Sequence, residues 1–115
     1  MIDNEPAWVT DVLRFWFEEL AALDWFVRND AVDDSIRQRF FSLHGQVTAD
    51  GGVPLTSPPR MLLAALLVLD QFSRNLYRDD PRAFAADVAA RELAHSIVAQ
   101  GFDRAMAPHE RLFAY

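Results

Sequence analysis

Met61-Leu62-Leu63-Ala64-Ala65-Leu66-Leu67-Val68-Leu69 runs nine residues without a polar side chain, between Ser57-Pro58 on one side and Asp70-Gln71-Phe72-Ser73-Arg74-Asn75 on the other. Serine followed by proline is a helix start, with serine as cap and proline in the first turn, where its missing N–H costs nothing. A helix apolar on every side has no face to give to water, so the spacing predicts a central buried helix over about 58–75. Nine residues are under half of the ~20 needed to cross a bilayer, so this run is core and no membrane partner is expected.

Outward from this centre the chain reads as all-α. Alanine and leucine together number 30 and valine, isoleucine and threonine 15, a tilt toward helix formers. Toward the N-terminus, Pro6 opens a helix in which Val9, Leu13, Trp16 and Leu20 recur at three- and four-residue spacing, while Asp11, Arg14 and Glu18 form a solvated opposite face. Asp30 is the expected cap of a second helix, with Asp33 favoured in its first turn by the helix dipole. The buried stripe there is Val32, Ile36, Phe40, Leu43 and Val47. A loop is expected at about 50–57, where Gly51, Gly52 and Pro54 interrupt the pattern. Beyond Asn75, Asp80 before Pro81 and Asp87 before Val88 are two possible helix starts, and Asp87 is preferred. Leu93, Ala94 and Ile97 then face the core, and Gly101 is a left-handed stop with Phe102 folding back. Pro108 opens a last short segment. These segments predict about five helices, in antiparallel, repeat-like pairs, forming a single domain over 1–115.

Composition excludes several chemistries. There is no cysteine, which removes disulfides, thiolate nucleophiles and thiolate metal sites, and all 11 basic residues are arginine, which removes lysine catalysis. A net charge of -6 is the wrong sign for neutralising phosphates, so nucleic acid is not an expected partner. The acidic start at Met1-Ile2-Asp3-Asn4-Glu5 does not resemble a secretory signal, and the expected address is cytoplasmic. Glu92-x-x-His95 matches one half of a di-iron helix motif, but no second copy exists, and neither a metal nor a cofactor is expected.

The densest polar cluster follows directly on the apolar run. Asp70 and Arg74 are one turn apart and can pair, as can Gln71 and Asn75, while Arg78 could reach the same acid or Asp87. One outcome is a buried network that locks a turn, with Arg74 mostly buried. The other is a site for an anion or a peptide carboxylate, built on Asp70, Arg74, Asn75, Arg78 and Asp87, because guanidinium forks match carboxylates at two points. Ser73 has no glycine-flanked elbow and no histidine nearby in sequence, so hydrolysis is not expected. His44 reads as half-exposed packing.

These residues resemble a known family. Phe15-Trp16-Phe17, then Trp25-Phe26 with Asp33, Ile36 and Phe40, and above all Asp70-Gln71-Phe72-x-Arg74-Asn75 with Arg78, Phe84 and Asp87, are similar to the blocks of the bacterial family catalogued as domain of unknown function 924. The resemblance implies a tetratricopeptide-repeat-like helical fold and no established activity. Two departures stand out: the family's tryptophan before the central helix has no counterpart near Val53 to Ser57, and a histidine-bearing C-terminal part is expected to be lacking after Tyr115.

Two functions follow as expectations. The first is a helical binding or scaffold module that recognises a peptide or anionic group through its arginine and aspartate cluster. The second is a small enzyme with Asp70 or Asp87 as base and Arg74 and Arg78 as anchors. Eight of the 14 aromatics lie within residues 8–41, more than one helix stripe can use, so Phe15 or Trp25 is expected to line a groove or a contact. Leu112 and Phe113 sit on a final segment too short to be stable alone, and apolar surface left open there predicts a two-fold homodimer.

Overall fold

The computed structural model describes residues 5–114, and every described element is helical. The apolar run forms α3 (Pro59–Leu67), which continues through a π-helical turn at Val68–Phe72 into α4 (Ser73–Leu76) with right-handed backbone angles at both junctions. Leu62 through Leu69 are at most 3% exposed, so this rod is the centre of the molecule. The helix begins one residue later than expected. Pro58 precedes it, Pro59 takes the first helical position, and no side chain caps it, because proline at that position removes one of the free amides a serine would satisfy.

Three further helices pack against α3: α1 (Ala7–Arg14), α5 (Asp87–Ala99) and α6 (Pro108–Ala114). The other long helix, α2 (Asp30–Ala49), lies along the π turn and α4. Val9, Leu13 and Trp16 point inward as their spacing predicts, joined by Val12 and Phe15, whereas Asp11, Arg14 and Glu18 face solvent. A second π turn at Phe15–Glu19 extends α1, with the Leu20 N–H donating to the Phe15 carbonyl. Phe15 does not line a groove. Its ring centroid is 5.3 Å from that of Phe40 and 6.1 Å from that of Phe72, so α2 and the central rod close over it. Trp25, in a 3₁₀ turn at Ala22–Trp25, is half-buried.

The cap of α2 is Asn29, not Asp30. Its carboxamide oxygen accepts the Ala31 N–H at 3.0 Å and the Val32 N–H at 3.4 Å, which leaves Asp30 as the first helical residue, where its charge suits the dipole. The loop after α2 turns on Gly52, at φ +101°. A side chain there would sit 3.2 Å from a Leu69 methyl, so the loop is pressed onto the central rod. Both candidate starts near residue 80 are used. Asp80 caps a 3₁₀ turn at Pro81–Phe84 by accepting the Arg82 N–H, and Asp87 opens α5 as its first residue, without acting as a cap. Leu93 and Ile97 are buried and Ala94 half-buried, and Gly101 adopts φ +75° as expected.

The last helix does not leave Phe113 open. That ring lies 5.4 to 5.8 Å, centroid to centroid, from Trp16, Phe17 and Trp25, so the segment folds back on the aromatic cluster and draws its stability from it. Among the described residues no helix is long and apolar enough to cross a membrane. The acidic start at Met1–Asn4 and the terminal Tyr115 lie outside the described residues.

Candidate functional site

The π turn and α4 present the polar cluster on two sides of the rod. Arg74 pairs with Asp70 at 3.1 Å, one turn apart, but its side chain is 47% exposed rather than buried. Gln71 does not pair with Asn75; its amide donates to Asp70 at 2.6 Å. Asn75 and Arg78 turn the other way, toward Asp33 of α2. The Asn75 amide donates to Asp33 Oδ1 at 2.8 Å, and Arg78 grips the same carboxylate with Nε on Oδ2 and Nη2 on Oδ1, the latter at 3.0 Å. That grip raises the Arg78 pKa further. Arg78 therefore pairs with neither Asp70 nor Asp87. Asp33 is only 6% exposed, and an acid on the apolar stripe beside Val32 and Ile36 was the one local sign that it needed a partner.

Asp87 pairs with neither arginine. Its Oδ1 is buried without a hydrogen-bond partner, and the residue lines a narrow cleft of about 270 Å³ with Asp70, Arg74, Arg91 and Phe113. On the opposite side of Arg74 lies a wider, open cleft of about 730 Å³. Arg28, Arg74 and Arg78 line it, with Phe84 and Pro81 as apolar wall and Asp79 and Asp80 at its edge. The Arg74 guanidinium stands 5.8 Å from the Phe84 ring centroid. Arg28 comes from the turn before α2 and reaches Asp79 at 3.6 Å across the cleft mouth, and Asp79 itself holds a left-handed φ of +60°. Arg82 holds Asp80 through both a side-chain and a backbone donor, lowering the Asp80 pKa to about 2.

A second arrangement joins residues 29 positions apart. His44 is buried, not half-exposed, and its Nε2 lies 2.8 Å from Ser73 Oγ. The Ser73 hydroxyl, 1% exposed, donates its proton to the Leu69 carbonyl oxygen at 2.7 Å. His44 must then carry its proton on Nε2 and donate to Ser73. Burial lowers the His44 pKa, so the ring stays neutral at neutral pH. A histidine does stand beside Ser73, contrary to the local reading, but the serine proton points away from it, and the pair is not an activated nucleophile. Both residues line a cleft of about 580 Å³ with Tyr77, Leu69, Val88 and Glu92.

Glu92 and His95 are both exposed, and the described residues contain no group of three side chains able to hold a metal ion.

A family model described as bacterial protein of unknown function matches residues 12–115. A solved structure, of a protein of unknown function from Agrobacterium tumefaciens, superposes with a TM-score of 0.84 at 29% identity, over 93% of this chain and 60% of that one. This chain thus spans about 60% of the length of that relative. No curated protein matches. With nearly all of its length matched, and with its aromatic, Asp33 and Arg78 residues drawn into one packed arrangement, the chain belongs to the bacterial proteins of unknown function grouped as DUF924.

Proposed function

We propose that the protein is a helical binding module that recognises an anionic group, a small carboxylate or a peptide carboxylate, in the open cleft of Arg28, Arg74 and Arg78. One observation carries this: the guanidinium groups of Arg28, from the turn before α2, and of Arg74 and Arg78, from α4 and the turn after it, line one cleft that also has an apolar wall at Phe84. Arg78 is held rigid by Asp33, while Arg74 uses one nitrogen on Asp70 and keeps other donors for a ligand. An open cleft of this kind suits binding of an extended group. The likeness to tetratricopeptide repeats, a cytoplasmic address and a two-fold dimer belong to the same proposal.

A thermal-shift screen of anionic metabolites and short peptides tests it. Ligands that bind only the folded chain raise the melting point, and Arg74→Ala abolishes the shift if the cleft is the site. Hits whose shift survives Arg74→Ala, or whose uncharged amides shift the melting point equally, defeat the proposal.

A second reading, a small enzyme, has one observation in its favour: the unpartnered Asp87 Oδ1 beside Arg74 and Arg91 in the narrow cleft. Asp70 is less available for this role, because Arg74 and Gln71 already occupy its oxygens. If Asp87 is a base, Asp87→Asn leaves an anionic hit bound but unconverted, whereas the wild-type chain turns it over.

A further inference from the structure

The His44 cleft shares no lining residue with the arginine cleft, and its unpaired polar groups are acceptors rather than donors. Because His44 Nε2 is used on Ser73, the remaining polar atom of the ring is Nδ1, an acceptor with no protein donor among the described residues. Glu92, at the rim, adds a carboxylate that forms no ion pair among the described residues. The cation of the lining, Arg82, is already matched: it holds Asp80 at 2.8 Å and lies 4.7 Å from the Tyr77 ring centroid. The rest of the wall is apolar, with Leu69 at its base and Val88 at its mouth. A cleft of about 580 Å³ with an unpartnered ring acceptor and an unpaired rim carboxylate, over an apolar floor, is suited to receive hydrogen-bond donors on an apolar body.

We propose that this cleft is a second binding site that takes a small apolar molecule bearing a primary amine. The ammonium group donates to His44 Nδ1 and faces the Glu92 carboxylate, and the apolar body lies against Leu69 and Val88. Neutral His44 is a requirement, since a protonated ring has no acceptor and repels the ammonium. The charged groups that face His44 across this cleft are Glu92 and the Asp80-matched Arg82, with the Tyr77 phenol beside the ring.

The experiment is a titration of the ¹⁵N-labelled 115-residue chain, followed by NMR, with three probes of like shape: 2-phenylethylamine, 2-phenylethanol and 3-phenylpropionate. The amine is expected to bind at least about tenfold more tightly than the alcohol, the worth of a charge-assisted hydrogen bond, and to shift the amides of Tyr77, Val88 and Glu92. Glu92→Gln, on the exposed rim, weakens amine binding several-fold. Val88→Trp, at an exposed position, fills the cleft and abolishes it without touching the core. Equal affinity for amine and alcohol, or amine binding unchanged in Val88→Trp, overturns the proposal. The anion site is read independently in the same titrations, through 3-phenylpropionate and the Arg74 and Phe84 amides, so either site can fail alone.

Discussion

Arg78 holds Asp33 through two nitrogens across 45 positions of sequence, and this grip closes the start of α2 onto the end of the central rod. Asp33 also accepts the Asn75 amide, so one buried carboxylate gathers donors from α4 and from the turn that follows it. Asp33→Ala would strand both donors. The expected loss is about 3 kcal/mol, at the low end for a broken buried pair because Arg78 is partly exposed, measured by urea denaturation. A loss below about 1 kcal/mol would mean that water replaces the carboxylate easily.

Arg74→Ala should behave differently. Its side chain is about half exposed and its partner Asp70 lies on the same helix, so the stability cost is expected below about 1 kcal/mol. The same denaturation curves separate a structural arginine from one retained for a ligand. A cost near that of Asp33→Ala would place Arg74 in the framework instead.

Leu66→Ala removes a side chain from the middle of the central rod, at 3% exposure. The cavity cannot collapse easily between α3 and its neighbours, and the loss should be roughly 2 to 5 kcal/mol. Calorimetry or urea titration measures it, and a loss under about 0.5 kcal/mol would mean the rod is peripheral.

Stability should fall as pH drops below neutrality, and His44 should account for the fall. Its pKa is lowered in the folded chain from an ordinary 6.5, so the unfolded chain takes the proton first. The stabilisation is whole above that value and is lost as pH falls toward the folded value, at no more than about 1.4 kcal/mol per pH unit for one proton. Asp80, lowered from 3.8 to about 2, acts only at lower pH. Melting temperatures measured from pH 7.5 to 5 should therefore slope in the wild type and flatten in His44→Gln. An unchanged slope in the variant would clear His44 of the effect.

Self-association should use a surface other than Phe113, which is packed into the aromatic cluster. Leu23, Phe26 and Val27 are 68%, 69% and 52% exposed on the turn before α2, next to the arginine cleft. Sedimentation equilibrium should give a two-fold dimer that Phe26→Glu dissociates. A single species near 13.1 kDa at every loading would defeat the dimer. Phe113→Glu should instead destabilise the fold, because that ring touches three others in the cluster.

The sequence by itself determined what depends on near neighbours along the chain. The run from Met61 to Leu69 has no polar face, so it had to be central; Gly101 and the loop at Gly51-Gly52 mark places where a helix cannot continue; Asp70 and Arg74 pair because four residues bring them to one side of a turn. Tertiary structure decided everything that requires two helices to meet. Arg78 had acids within reach on its own side of the sequence, yet Asp33 took it, because Asp33 was buried by the stripe of α2 and could not be left without donors. His44 found Ser73 for a similar reason: a polar ring on the buried face of α2 meets a buried hydroxyl on the facing side of the rod. Phe113 closed onto Trp16, Phe17 and Trp25 because a seven-residue helix gains its stability only from what it touches. Periodicity tells which face of a helix is buried, but the partner of a buried polar group is chosen by which element packs over that face, and local spacing carries no record of it.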